Sequence, residues 1–334
     1  MATSPRTAWL RQTWEEPLDP ELPICDTHHH FWDHGADDRY LLPELQADMD
    51  GGHNIVATVF IECNTGYRKD GPEAMKPVGE TEYVESLVRG AAARAAAAIV
   101  GHADLRLGAE VARVLEAHIA ASPTRFRGIR YWTTWDEHPA EAQLRTCAPK
   151  GLVYDSKFRE GFACLQRYGL SFDAWMLFHQ LAEAADLARA FPGTTIVIGH
   201  CGGLVGVGPY SNRDEVLQQW KRLVSDIAKC RNVVMKIGGI GLPRLGFGWH
   251  ERDKPPTSLD LVQAFKPYCM HCIEAFGPDR CMFESNFPVD KASAPYNVVW
   301  NAFKRLTEGF SPSERKAMFH DTAERVYRLQ RPGA

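Results

Sequence analysis

The chain has 334 residues, of which 45% are hydrophobic, 24% charged and 10% aromatic, a composition typical of a globular protein rather than a disordered or fibrous one. Its 38 Lys and Arg residues against 42 Asp and Glu residues give a formal net charge of -4 without a long run of either sign, which argues against nucleic acid and anionic membranes as partners. Its apolar stretches are far shorter than the roughly 20 residues of a membrane-spanning helix, and charged and aromatic side chains interrupt residues 1–20 too often for a signal peptide.

The predicted elements alternate between strands and helices along almost the whole chain. After a polar, proline-containing arm at residues 1–22, eight runs rich in β-branched and apolar residues predict strands. The predicted strands are residues 24–32, 54–63, 99–105, 126–132, 171–178, 194–200, 232–238 and 280–286. Alanine-rich segments and segments with apolar residues near the 3.6-residue period predict the helices. The predicted helices are residues 80–98, 108–121, 156–168, 181–191, 214–229, 259–276, 296–306 and 313–329.

Eight strands alternating with helices predict an α/β fold, a single (β/α)8 TIM barrel. We expect this barrel to form one domain at residues 23–334, because no Gly/Ser linker or repeat divides the chain. A doubly wound parallel sheet is the alternative architecture, but no glycine-rich phosphate loop follows the first strand.

The carboxyl ends of the predicted strands supply the candidate functional residues, because that end of a barrel carries the reacting groups. Histidines end or closely follow the first, third, fifth and sixth strands, namely His28 to His30, His102, His179 and His200. The remaining strands end near Glu62, Arg130, Lys236, Glu284 and Asn286, with Asp290 just beyond.

The histidine triplet is the most suggestive of these patterns. Because side chains alternate along a strand, His28 and His30 are expected to project together into the barrel while His29 points towards the helices. Such a pair can hold one divalent metal ion or one carbonyl oxygen between two imidazoles. Taken alone, the triplet fits a structural role equally well, but His179 and His200 at the ends of other strands favour a functional site.

Five motifs occur in order along the chain. They are CDTHHHFWD, FRGIR, FHQL, IGHCGG and MFESNFPVDK. Together they resemble the amidohydrolase superfamily, and more narrowly its branch of sugar lactonases and pyrone-dicarboxylate lactonases, from about Pro23 to Arg328. The resemblance implies a (β/α)8 barrel that hydrolyses a lactone or related cyclic ester. It also implies catalytic and metal-binding roles for His28, His30, His179 and His200.

The eighth strand departs from that family pattern. The family usually has an aspartate after the serine of this motif, which takes a proton from the attacking water, whereas this chain has Asn286. An amide cannot act as a general base, so Asn286 would position water or substrate. Asp290 and Glu62 are the candidate bases, although a loop carboxylate paired with Lys291 is an alternative for Asp290. Glu284 is expected to lie deeper and to pair with Lys236.

The same departure leaves the use of a metal open. Loss of an anionic ligand weakens divalent-ion binding, and the resemblance implies that some lactonases of this branch work without an ion. The imidazoles of His28, His30 and His179 would then stabilise the oxyanion directly. A zinc or manganese ion held by the four histidines is the alternative, and no organic cofactor is expected.

Substrate contacts are expected from residues near the mouth of the barrel. Arg130 is expected to form two parallel hydrogen bonds with a substrate carboxylate, and a structural salt bridge is the alternative. The polar segment 67–80 is expected to form a loop over the mouth, so Tyr67 and Arg68 are candidate contacts, and Trp132 is a candidate pocket wall. The expected partner is a small molecule, an anionic or aromatic lactone.

Two other functions remain open at this stage. The first is a metal-dependent decarboxylase of an aromatic or conjugated acid, against which Asn286 argues. The second is a non-catalytic barrel that binds a small ligand. Nine scattered cysteines fit reduced thiols better than a secreted disulfide framework and predict a cytoplasmic location. A homodimer is compatible with a barrel of this size.

Overall fold

Eight parallel strands form the central sheet. The computed structural model describes residues 5–35, 38–90, 94–144 and 148–329. Each strand pairs in parallel with the next one along the chain, which confirms the predicted barrel and excludes the doubly wound sheet. The strands, numbered β1 to β8, are Ile24–His29, Ile55–Ile61, Ala98–Gly101, Phe126–Trp132, Ser171–Trp175, Ile196–Ile198, Val233–Ile237 and Cys281–Phe283.

The barrel closes between β1 and the segment that follows β8. His29 and Phe287 form a parallel bridge. The His30 N–H donates to the Phe287 carbonyl at 2.8 Å, and the Asn286 N–H donates to the His28 carbonyl at 3.0 Å. Closure therefore brings the histidine triplet and Asn286 side by side.

Helices cover the outside of the barrel, as parallel strands require crossover connections. The α-helices of six residues or more are Pro5–Leu10, Leu42–Met49, Val78–Val88, Ala112–Ala121, Ser156–Arg167, Leu181–Ala190, Arg213–Ile227, Ser258–Phe276, Tyr296–Leu306 and Thr322–Tyr327. Arg213–Ile227 illustrates the pattern, because the Asn212 side chain caps its first turn and Val216, Trp220 and Val224 lie buried on one face. None of the helices in the described residues is long and apolar enough to cross a lipid bilayer.

The helix predicted at residues 80–98 is shorter than expected. It spans Val78–Val88, and Gly90 follows with φ of +79°, a left-handed conformation that commonly ends helices. Residues 91–93 lie outside the described residues, and Ala98 already belongs to β3. The high helix propensity of Ala98 is overridden because this residue pairs with Val59 in the sheet.

The last predicted helix is divided into three parts. Residues 313–329 form the α-helical turn Pro312–Lys316, the π-helical segment Ala317–Asp321 and the helix Thr322–Tyr327. Tyr327 from this last helix packs inside the barrel with Val59, Val197 and Val234. The barrel interior is thus a packed core, and the carboxyl ends of the strands remain available for a site.

The cysteines are structural in this fold. The eight cysteines of the described residues carry no disulfide. Cys269 and Cys272 form a CxxC pair, but both lie fully buried on the helix Ser258–Phe276. Burial raises the pKa of both thiols well above the ordinary value, so neither side chain is a reactive thiolate.

Candidate active site

A cavity of about 710 Å³ opens at the carboxyl ends of the strands. It is lined by residues that end or follow β1, β2, β4, β5, β6, β7 and β8. The lining residues used below are His30, Arg130, Trp132, Trp175, His200, Arg244 and Asn286. Arg6, from the N-terminal arm, also lies at its wall and donates to the Ala292 carbonyl at 2.9 Å.

His28 and His30 meet at the wall of this cavity. Their Nε2 atoms lie 3.2 Å apart. His28 Nδ1 contacts Glu284 Oε2 at 2.8 Å, and His30 Nδ1 lies 2.8 Å from the Ile61 carbonyl oxygen. Because each Nδ1 faces an acceptor, each ring carries its proton there, and both Nε2 lone pairs are directed at one another. His29 packs instead against Phe31 and Phe60 on the outer side, as the alternation of a strand predicts.

Glu284 connects two of the histidines. Its Oε2 contacts His28, and its Oε1 accepts a hydrogen bond from the His200 backbone N–H at 2.7 Å. Burial alone raises the pKa of this carboxyl, but His200 and His28 beside it hold the pKa well below its ordinary value. Glu284 is therefore a buried carboxylate. The expected Glu284–Lys236 ion pair is wrong, because Lys236 Nζ pairs with Asp173 at 2.9 Å.

His200 carries a buried polar atom without a regular hydrogen bond. Its Nδ1 lies 2.7 Å from Glu284 Oε1, and this buried atom makes no hydrogen bond of ordinary geometry with the described residues. Burial lowers the pKa of His200, and likewise the pKa values of His28 and His30. The three imidazoles are thus neutral, the form that binds metals or accepts protons.

These residues fit a divalent metal ion. His28, His200 and Glu284 place potential ligand atoms within 4.8 Å of one another. Two nitrogens about 2.0–2.1 Å from one tetrahedral zinc ion lie about 3.3 Å apart, close to the 3.2 Å between His28 and His30 Nε2. The Nδ1 contacts of both rings match the second-shell pattern of metal-binding histidines.

Asn286 faces the cavity with Asp290 behind it. The Asn286 Nδ2 donates to Asp290 Oδ1 at 2.7 Å, and the Gly241 N–H donates to Asp290 Oδ2 at 2.8 Å. The amide oxygen of Asn286 is therefore the atom left for a water or a substrate. Asp290 is fully buried, and burial raises its pKa to about 7. Its contacts are with Asn286 and Gly241 rather than with Lys291.

Glu62 is engaged by its neighbours. Trp132 Nε1 donates to Glu62 Oε1, and Arg130 Nη1 lies 3.8 Å from the same oxygen. Arg130 also donates to the Glu62 backbone carbonyl at 3.2 Å. Arg130 and Trp132 line the cavity as expected, but neither Glu62 nor Asp290 belongs to its lining.

His179 is not brought to the other histidines. β5 ends at Trp175, and His179 follows in the 3-10 turn Phe178–Gln180. There its Nε2 contacts Asp136 Oδ2 at 3.1 Å, and its ring stacks on Tyr210. Trp175 takes the strand-end position instead, with its ring centroid 5.0 Å from that of His200.

Tyr67 and Arg68 also lie away from the cavity lining. The Tyr67 hydroxyl is buried, and burial raises its pKa. Arg68 Nε donates to Glu82 at 3.0 Å on the surface. Residues 67–80 are thus absent from the lining of this cavity.

Sequence reasoning missed Arg244 and Trp175. Arg244 lies in the loop after β7 and is 9% exposed. Its signal in the sequence is weak, a single arginine in the glycine-rich segment 238–248. Trp175 had the stronger signal, since it lies within a predicted strand next to the expected carboxyl end.

Comparisons with known proteins extend these observations. A family model described as amidohydrolase matches residues 25–329. The uncharacterized protein y4mH of Sinorhizobium fredii is 32% identical, covering 92% of this chain and 99% of that protein. An L-fucono-1,5-lactonase of Burkholderia multivorans is 26% identical, covering 92% of this chain and 96% of that enzyme. A crystal structure of an amidohydrolase from Burkholderia multivorans with bound zinc has 25% identity and a TM-score of 0.72, covering 92% of this chain and 99% of that one.

Proposed function

Since the chain belongs to the amidohydrolase family and is a lactonase-like hydrolase, we propose that it opens a lactone ring by attack of water on the carbonyl carbon. The observation that carries this proposal is the convergence of the His28 and His30 Nε2 atoms, 3.2 Å apart, at the wall of the cavity. With both Nδ1 atoms facing acceptors, the two Nε2 lone pairs can bind a single metal ion.

We propose that His28 and His30 hold one divalent ion, zinc or manganese, through their Nε2 atoms, with the Glu284 carboxylate behind His28. When bound, such an ion polarises a carbonyl oxygen and lowers the pKa of a water molecule. The relative with bound zinc supports this assignment. Glu284 and the Ile61 carbonyl fix the tautomers of His28 and His30, so both Nε2 atoms are presented to the site without reorganisation.

The proton of the attacking water is assigned to His200. This ring lines the cavity, its Nδ1 lacks a hydrogen bond, and the Glu284 carboxylate lies beside it. A carboxylate in contact with an imidazole stabilises the imidazolium that forms when the ring accepts a proton. Asn286 positions the water through its amide oxygen, whose orientation is fixed by Asp290. Asp290 and Glu62, which do not line the cavity, thus serve as supporting residues and not as the base.

A lactone hydrolysis assay tests the function. Ring opening releases a proton at neutral pH, so the rate is followed with a pH indicator over a panel of 1,4-lactones, 1,5-lactones and carboxylated pyrones. We expect at least one lactone to be hydrolysed, with a rate at least about 100-fold lower in His30→Ala. His320→Ala, which changes a histidine paired with Asp321 on the surface, serves as the matched control and should retain full activity.

Two outcomes would contradict this function. Release of carbon dioxide from an aromatic or conjugated acid, with no lactone opened, would identify a decarboxylase. Tight binding of lactones without turnover across the whole panel would identify a non-catalytic binding barrel.

A further inference from the structure

Arg244 is a buried cation whose Nε and Nη2 lack a hydrogen-bond partner among the described residues. Its side chain lines the cavity and is 9% exposed. Burial lowers the pKa of Arg244 to about 10, so the guanidinium stays charged at neutral pH. A buried unpaired charge is costly, and an anion that binds beside it offsets that cost.

Arg130 lies on the same aromatic ring. The guanidinium carbon of Arg244 is 4.5 Å from the Trp175 ring centroid, and that of Arg130 is 5.4 Å from it. Arg130 already has the carboxylate of Glu62 at 3.8 Å. Arg130 therefore has a carboxylate within ion-pair distance. Arg244 has the longer-range charge of Asp290 beside it, but no described residue accepts a hydrogen bond from its Nε or Nη2.

The charges around the cavity also favour an anionic ligand. Five Arg and Lys residues line it against one acidic residue, Asp38, in a chain whose formal net charge is -4. Asp38 is already occupied by the Trp32 and His34 side chains. The cavity is thus a local positive region, which attracts and retains anions.

From this arrangement we infer that Arg244, together with Arg130 and the Trp175 ring, forms a subsite for a carboxylate group of the substrate. The inference rests on the proposed lactonase function and deepens it, because the substrate is then a lactone that carries a carboxylate rather than a neutral sugar lactone. The Nε and Nη2 donors of one guanidinium match the two oxygens of a carboxylate. A carboxylate carries one negative charge, which balances the single positive charge of Arg244, whereas a phosphate dianion carries nearly two negative charges.

The subsite is tested by binding rather than by turnover. Titration calorimetry is performed with three carboxylates that the enzyme cannot hydrolyse, namely glutarate, citrate and isophthalate, and with the neutral isophthalamide and glutaramide. We expect at least one carboxylate to bind with a dissociation constant below about 1 mM and at least tenfold more tightly than a neutral compound. Arg244→Met should weaken that binding at least tenfold, since a hydrogen-bonded charge pair is lost.

The control is Arg252→Met, which removes an arginine from the same loop that packs on Trp249 outside the cavity lining. It should leave carboxylate binding unchanged. Arg244→Lys, which keeps the charge and loses the two-donor fork, should bind with intermediate affinity, and circular dichroism of each variant reports whether it is folded.

Three results would overturn the subsite. They are the absence of carboxylate binding by the wild type, equal binding of the neutral compounds, and tighter Arg244-dependent binding of inorganic phosphate than of any carboxylate. The outcome is separable from the lactonase proposal. Carboxylate binding that depends on Arg244 without any lactone hydrolysis would retain the subsite alone, and neutral-lactone hydrolysis that is unchanged in Arg244→Met would retain the lactonase alone.

Discussion

His28 and His179 differ in a way that single substitutions can measure. His28 faces His30 and Glu284, whereas His179 contacts Asp136 away from the cavity lining. We expect His28→Ala to lower kcat/KM for the hydrolysed lactone by at least about 100-fold, as loss of an oxyanion or metal contact does. His179→Ala should lower it by less than about tenfold and should mainly destabilise the loop that carries Asp136. Equal losses in steady-state assays of the two variants would argue that His179 acts in the reaction.

The raised pKa of Asp290 predicts that the stability of the protein depends on pH. Its pKa rises from 3.8 to about 7 on folding. The contribution of the protonated carboxyl to the free energy of unfolding is therefore complete below pH 3.8 and is lost as the pH rises through about 7. From about pH 5 to about pH 8, the unfolding free energy of Asp290→Asn should rise relative to wild type by about 1–3 kcal/mol.

Urea denaturation at both pH values measures this difference. The exposed Asp70→Asn provides the control and should show no comparable change relative to wild type. A pH-independent difference between Asp290→Asn and wild type would mean that Asp290 is ionised in the folded protein throughout this range.

At the scale of single residues, the sequence predicts which side chains of one strand lie together better than it predicts contacts between side chains of different strands. The period of two is sufficient to bring His28 and His30 together and to turn His29 away. No local pattern shows that β5 stops at Trp175, so the position of His179 could not be predicted. The pairing of Lys236 with Asp173 instead of Glu284 likewise depends on which inward-facing side chains share one layer of the barrel.

The segment after β7 controls the position of His200. Gly239 has φ of +65°, and a Cβ atom there would lie 2.9 Å from His200 Nδ1. Gly239→Ala should therefore displace the ring and lower kcat at least about tenfold, because misplaced catalytic groups lose rate steeply. Steady-state kinetics of the folded variant measure this loss.

Gly277→Ala separates the strain of the backbone from the clash. Gly277 has a similar φ of +80° with open space around its Cβ position. Gly239→Ala should lose about 1–2 kcal/mol of stability from its positive φ. Gly277→Ala should lose at least as much, because φ of +80° with ψ of 153° is open essentially only to glycine, but it should keep its activity. Normal kcat in Gly239→Ala would show that the ring of His200 does not need its present position.

The elements were more predictable than the contacts between them. Hydrophobic runs located all eight strands, because buried parallel strands are apolar on both faces. The ends of the elements were less accurate. The alanine-rich run after residue 89 has high helix propensity, and only tertiary pairing shows that Ala98 belongs to a strand. The short helix Leu42–Met49 was missed because polar residues dilute its apolar pattern.

At the scale of the whole molecule, the barrel separates stability from function. Tyr327 and the inward-facing valines fill the interior, while the strand ends and the following loops hold the histidines, Arg130 and Arg244. Closure between β1 and the segment after β8 places Asn286 next to the histidine pair. The site therefore depends on the complete barrel, since its residues end or follow seven strands that only closure brings together.

The most direct test of this account is metal analysis of protein purified without chelator, combined with the lactone assay before and after the metal is stripped. We expect about one equivalent of zinc or manganese per chain, loss of activity on stripping, and recovery when the ion is returned. His30→Ala should lose the ion as well as the activity. Full lactone hydrolysis by metal-free protein would contradict the assignment of His28 and His30 as a metal site.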